Sequence, residues 1–147
     1  AWKIGILFTV QILAATFTKP VMGRLSDRYG RVPLISAGLV LGGVTTATLI
    51  LSSNYLVFAV LVAIFGLGLA TVTASTSALV ADLSRSQGRG GALGILSSIM
   101  DIGHSSGPMV AGVLIAAYSY RMTFGIVGIG LVVISLVYWL GMRRITG

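Results

Sequence analysis

The chain has 147 residues, of which 56% are hydrophobic and 9% are charged. Because a soluble domain carries about 25% charged residues, this composition excludes a soluble globular protein and indicates a polytopic membrane protein. The formal net charge of +7 does not indicate nucleic-acid binding, since the basic residues lie at the ends of apolar runs and form no patch with interleaved aromatic residues. Cysteine is absent, so neither a disulfide framework nor a thiolate metal site is available.

Apolar runs long enough to cross a bilayer follow one another along the chain, since about 20 helical residues span the ~30 Å hydrocarbon core. They predict an all-α membrane bundle of five transmembrane helices in one compact unit, in contact with the lipid bilayer. In chain order, the predicted helices cover about residues 4–22, 33–51, 55–83, 91–117 and 122–142.

Basic residues are distributed unevenly between the two sides of this bundle. One side carries Lys19, Arg24, Arg28, Arg31, Arg85, Arg89, Arg143 and Arg144, and the other carries Lys3 and Arg121. Because positive charge favours the cytoplasmic side, the first side is predicted to be cytoplasmic. This orientation places Ala1 outside and Gly147 inside.

The connector between the first two helices has the spacing Gly-x-x-x-Asp-Arg-x-Gly-Arg, formed by Gly23, Asp27, Arg28, Gly30 and Arg31. A small residue such as Gly23 lets two helices pack closely, and Gly30 permits a turn. Asp27 can accept bonds from a helix N-terminus or an arginine. This spacing resembles the signature loop of the major facilitator superfamily of secondary transporters, which implies that the cluster latches a cytoplasmic gate. A purely topogenic basic loop is the alternative.

The resemblance implies a six-helix half whose two termini are cytoplasmic, so five helices correspond to one half without its first helix. Since Ala1 is predicted outside and no cleavable signal peptide opens the chain, an odd number of preceding helices is expected. Two features favour helices eight to twelve of a twelve-helix transporter. They are the stretch Thr18-Lys19-Pro20 before the signature loop and the Arg143-Arg144 pair near the end. The first half is the alternative, and either placement implies the other half as a partner.

Helix four contains a second motif that is similar to a family motif associated with exchangers, with Ala111 replacing a glycine. Gly103 and Gly107 are spaced for close helix packing, and Pro108 favours a kink. Helix packing without any exchange function is the alternative interpretation. The motif residues are Gly94, Gly103, Gly107, Pro108 and Gly112.

Asp101 lies ten residues into predicted helix four, and His104 follows on the same helical face. A carboxylate at this depth is costly unless it is protonated, paired or in contact with water. Since histidine as a residue type exchanges protons near neutral pH, the two residues are candidates for proton coupling. A structural hydrogen bond between helices is the alternative. One histidine and one aspartate supply too few ligands for a metal site.

Uncharged polar residues mark a possible substrate path at Gln11, Thr73 and Ser77, although such side chains often bond within their own helix or to a neighbour. At the predicted cytoplasmic ends of helices three and four, a charge cluster could meet the Asp27 loop or remain solvated. This cluster comprises Asp82, Arg85 and Arg89.

The function predicted on this basis is secondary active transport of a small solute by alternating access. The favoured form is proton-coupled efflux of a drug-like compound or metabolite across a bacterial or archaeal cytoplasmic membrane. Uniport, symport, and a receptor or assembly subunit of the same fold are the alternatives. Neither enzymatic activity nor a cofactor is expected, because no nucleophile–base–orienter set or phosphate-cradling loop is present.

Overall fold

The computed structural model describes residues 2–51, 54–84 and 88–146. Within them the chain forms helices and no strand, which confirms the all-α prediction. The helices are α1 (Trp2–Tyr29), α2 (Arg31–Leu49), α3 (Tyr55–Leu83), α4 (Arg89–Ala117) and α5 (Tyr120–Thr146). Each of these five helices is long and apolar enough to cross a membrane.

The first two helices meet at one residue instead of through the predicted charged connector. α1 continues past Met22 to Tyr29, and Gly30 alone separates it from α2. Gly30 has φ +95° and its N–H donates to the carbonyl of Ser26 at 3.1 Å. Glycine adopts this positive φ at little cost. The connector prediction was wrong because charged side chains at a membrane surface reach water from the last turns of a helix as well as from a loop.

The helices pack around α2 and α3. α2 contacts both α3 and α5, and α1 packs along α3. α4 touches α3 and α5 but buries none of its residues. The structure therefore has a close-packed group of four helices with α4 at its margin.

Glycines bring the packed helices into backbone contact. A Cβ on Gly43 of α2 would lie 2.7 Å from the carbonyl oxygen of Gly128 of α5, and a Cβ on Gly128 would lie 2.7 Å from that of Gly43. Nearby, the buried hydroxyl of Ser135 donates to the carbonyl of Ser36 at 2.9 Å. Close approach of this kind stabilises helix pairs in membranes, where no hydrophobic driving force acts between them.

The glycines that the sequence motifs had marked for packing have no such contacts. A Cβ added at Gly23, or at any motif glycine of α4, would meet no atom within 4 Å in the described residues. These glycines make no close helix contact among the described residues, because spacing along a helix does not determine which face meets a neighbour. Their packing role stays a prediction. Pro108 lies inside a continuous α4. The motif glycines are Gly94, Gly103, Gly107 and Gly112.

We expect Gly43→Ala to lower the free energy of unfolding by about 1–3 kcal/mol, the usual cost of overpacking, because the added methyl group meets rigid backbone. Gly128→Ala should cost a similar amount. The double variant should cost less than the sum, since either methyl group already separates α2 from α5. Thermal unfolding of the purified protein in detergent measures this. Gly130→Ala on α5 is the matched control, and an equal loss there would contradict the contact.

Candidate functional site

Arg31, the first residue of α2, joins the ends of three helices. Its Nη2 lies 2.5 Å from Asp27 Oδ1 on α1, and its Nε donates to Asp82 Oδ2 on α3 at 2.9 Å. Its Nη1 donates to the hydroxyl of Ser26 at 2.5 Å, and Ser26 is 1% exposed. Three nitrogens of one guanidinium thus bind three partners, a geometry that the planar fork of arginine favours. We call Asp27, Arg31 and Asp82 the arginine bridge.

Other residues of the predicted charged segments lie around this bridge. The guanidinium of Arg28 lies over the ring of Tyr29, 5.8 Å from its centroid. Arg89 Nε donates to the carbonyl of Ala81 at 3.2 Å, which ties the start of α4 to the end of α3. Of the predicted charge cluster, Asp82 therefore meets the signature segment and Arg89 bonds to backbone. Arg85 lies outside the described residues.

A cleft of about 290 Å³ lies between α1, α3 and α4. We call it the polar cleft. It brings together four residues that the sequence marked separately, namely the coupling candidates on α4 and two hydroxyl residues on α3. Its lining consists of Lys19, Thr73, Ala74, Ser77, Ser97, Met100, Asp101 and His104.

The charged residues of the polar cleft lie deep along their helices. At 1.5 Å per residue, Lys19 is about 15 Å from the α1 end at Tyr29, and Asp101 is about 18 Å from the α4 start at Arg89. These two helix ends belong to the side of the bundle that carries the arginine bridge. The cleft therefore lies along the membrane-spanning part of the bundle, and not at the helix ends that the bridge joins.

Two of the cleft residues form hydrogen bonds to the backbone of their own helices. His104 Nδ1 lies 2.9 Å from the carbonyl of Met100. Because a carbonyl oxygen only accepts, a hydrogen bond at this distance requires the hydrogen on Nδ1, and Nε2 lies outside this bond. Thr73 donates its hydroxyl to the carbonyl of Leu69 at 2.8 Å, so its oxygen remains as an acceptor. The expected bonding of hydroxyls within their own helix occurs at Thr73.

Gln11 does not lie in the polar cleft. It lines a separate apolar pocket of about 200 Å³ together with Phe8 and Phe58. Its backbone carbonyl would lie 2.7 Å from a Cβ on Gly66, so this part of α1 is a packing contact with α3. The predicted substrate path through Gln11, Thr73 and Ser77 is therefore divided between two pockets.

Lys19 is the cleft residue that sequence reasoning missed, because it was counted only among the basic residues that set topology. One signal could have identified it. Lys19 is a lysine well inside an apolar helix, and ionisable residues at such positions are a functional hypothesis by default. Within the described ranges, no group of three histidine or acidic residues is arranged to hold a metal ion.

A sequence model of the Major Facilitator Superfamily matches residues 3–146. The chain belongs to this family. It is 31% identical over 136 residues to an uncharacterised MFS-type transporter of Methanocaldococcus jannaschii, covering 90% of the chain and 35% of that protein. It is 29% identical over 137 residues to the quinolone resistance protein NorA of Staphylococcus aureus, covering 91% of the chain and 35% of NorA.

This major facilitator chain is thus a multi-pass integral membrane protein. It spans about a third of the length of these two relatives. The arginine bridge joins two residues of the spacing that resembled the family's signature loop, Asp27 and Arg31, to Asp82 of α3.

Proposed function

We propose that the protein is a secondary transporter that moves a small solute by alternating access, and that this chain supplies helices eight to twelve. The observation that carries the proposal is the polar cleft, in which ionisable residues from two spanning helices line one space. Ionisable groups at this depth mark solute and proton pathways in membrane proteins, and transporters of inverted-repeat architecture bind their solutes near the midplane.

Within this proposal, Asp101 and His104 exchange the proton that drives transport. In the lining of the cleft, Lys19 of α1 is the charged group that faces them. The α3 residues of this lining include no charged or titratable group. A carboxyl group and an imidazole one turn apart can pass a proton between them. The direction we propose is efflux, because one relative is a quinolone resistance protein.

The arginine bridge has a separate role in the proposal. Asp27, Arg31 and Asp82 hold the ends of α1, α2 and α3 together on the side that carries Arg24, Arg28 and Arg89. By the distribution of positive charge, this side faces the cytoplasm. The bridge therefore stabilises one conformation of the cytoplasmic gate, and its rupture accompanies the change to the other.

Reconstitution of the complete transporter into proteoliposomes tests the function. With a pH gradient imposed across the membrane, we expect gradient-driven flux of quinolones or cationic dyes, and collapse of that flux by a protonophore. Flux that is indifferent to the gradient would contradict coupling and indicate uniport. Solute binding without counterflow would contradict transport and indicate a receptor of the same fold.

A further inference from the structure

Lys19 is a charged residue near the middle of a membrane-spanning helix. It lies about 5 Å from the midpoint of α1, and Asp101 lies about 3 Å from the midpoint of α4. Along α1, Lys19 lies five residues, about 7.5 Å, before Arg24, the first of the charged residues toward the end of this helix. The rule for topology concerns residues in loops and near helix ends, so the role of Lys19 depends on what its side chain meets in the polar cleft.

The ammonium group of Lys19 also has no ion pair among the described residues. The ion pairs there are those of Arg31 with Asp27 and Asp82. Lys19 and Asp101 line one cleft from opposite helices, with about 290 Å³ of space in the cleft that they share. A cation and a carboxylate that share a cleft without closing into a pair leave room for a ligand that binds both.

We propose that the polar cleft binds a zwitterionic solute, with its anionic group on Lys19 and its cationic or proton-donating part toward Asp101. This inference rests on the proposed transport function and names its substrate class. Thr73 contributes a hydroxyl oxygen as an acceptor, and Ser77 and Ser97 line the cleft beside the two charges. The cleft volume is close to the lower limit of about 300 Å³ for small-molecule pockets, which suits the charged head of a solute.

Charge selectivity follows from the same two residues. A simple cation is attracted by Asp101 but repelled by Lys19, and a simple anion meets the opposite pair of effects. A solute that carries both charges is attracted by both residues, so the cleft selects it by attraction and by repulsion of the alternatives. Lys19 is therefore the residue that distinguishes a carboxylate-bearing solute from the corresponding ester, which lacks the negative charge.

Two dyes that differ only at this group make the test. Rhodamine 110 carries a carboxylate and a delocalised cation, and rhodamine 123 is its methyl ester. We expect Lys19→Met in the complete transporter to lower the ratio of rhodamine 110 flux to rhodamine 123 flux by about tenfold or more, the usual effect of losing a hydrogen bond to a charged group. Lys19→Arg should preserve the ratio.

A second variant separates charge from packing. Lys19→Cys in a cysteine-free background can be modified with 2-aminoethyl methanethiosulfonate, which restores a primary ammonium, or with methyl methanethiosulfonate, which adds an uncharged group. We expect the first reagent to restore the rhodamine 110 preference and the second to leave it low. Equal recovery with both reagents would overturn the assignment.

The outcomes also separate this inference from the proposed function. An unchanged flux ratio in Lys19→Met would overturn the zwitterion assignment while transport stood. Gradient-driven flux of other solutes, without rhodamine 110 flux in the unmodified protein, would do the same. Absence of flux for every solute would instead remove the transport proposal on which the inference rests.

Discussion

Asp101→Asn is expected to abolish proton-driven accumulation of solute in the complete transporter while solute exchange across the membrane continues. Asparagine has nearly the shape and hydrogen-bonding capacity of a protonated aspartate, but it cannot release a proton. The cleft would therefore keep Lys19 and its hydroxyl groups, and the amide oxygen of asparagine would still accept a hydrogen bond from the solute. The exchange that links solute movement to the gradient would be lost. For one-to-one exchange, a gradient of one pH unit sustains about tenfold accumulation, and the variant should show none.

Counterflow of labelled solute, measured beside accumulation in the same proteoliposomes, separates uncoupling from misfolding. Asp101→Glu is the matched variant, because it retains a carboxyl group on the same face of α4. We expect it to preserve part of the accumulation. Wild-type accumulation in Asp101→Asn would place the coupling group outside the polar cleft, and loss of counterflow as well would indicate that the carboxylate is needed for solute binding or for structure.

The spans of the helices could be predicted from the sequence because they depend on composition and length. An apolar run of about 20 residues has few alternatives in a membrane. The junction of α1 and α2 could not be predicted in the same way. Charged residues at positions 24–28 suggest a loop, yet the backbone stays helical to Tyr29 and turns only at Gly30. Charged residues indicate where the membrane surface lies, and they do not indicate where a helix ends.

Part of the polar cleft could also be predicted from the sequence. Asp101 and His104 stand out because an ionisable residue at mid-membrane depth is costly wherever its helix lies. Their neighbours depend on how each helix is rotated against the others, which sequence spacing does not determine. For that reason Gln11 was grouped with Thr73 and lies in another pocket, and Lys19 was assigned to topology and lies in the cleft.

The glycines also show that sequence spacing does not determine which helix faces pack together. Gly43 and Gly128 bring the backbones of α2 and α5 into close contact, but neither belongs to a motif that distinguishes it from the other glycines of the chain. The motif glycines of α4 have recognisable spacing and no neighbour in the described residues. Helix-to-helix contact is a property of two helices together, so a pattern on one helix could not reveal it.

Arg31→Gln is expected to slow transport by about fivefold to thirtyfold, the effect of removing 1–2 kcal/mol from one conformation of the gate. The expected slowing of transport is modest because the Asp27 and Asp82 side chains are 62% and 56% exposed, and solvent screens their charges. It is not negligible, because Arg31 is 19% exposed and also bonds to the buried Ser26. Initial rates of flux in proteoliposomes measure the effect.

Arg31→Lys should not restore the rate, because one ammonium group cannot reproduce three contacts made by three separate nitrogens. Arg24→Gln is the matched control, since it removes the same charge from the same end of α1 at an exposed position. An equal loss of rate in Arg24→Gln would show that net positive charge at this surface matters, and not the geometry of the arginine bridge. If the bridge acts as proposed, Asp82→Asn added to Arg31→Gln should slow transport little further, because both changes remove the same interaction.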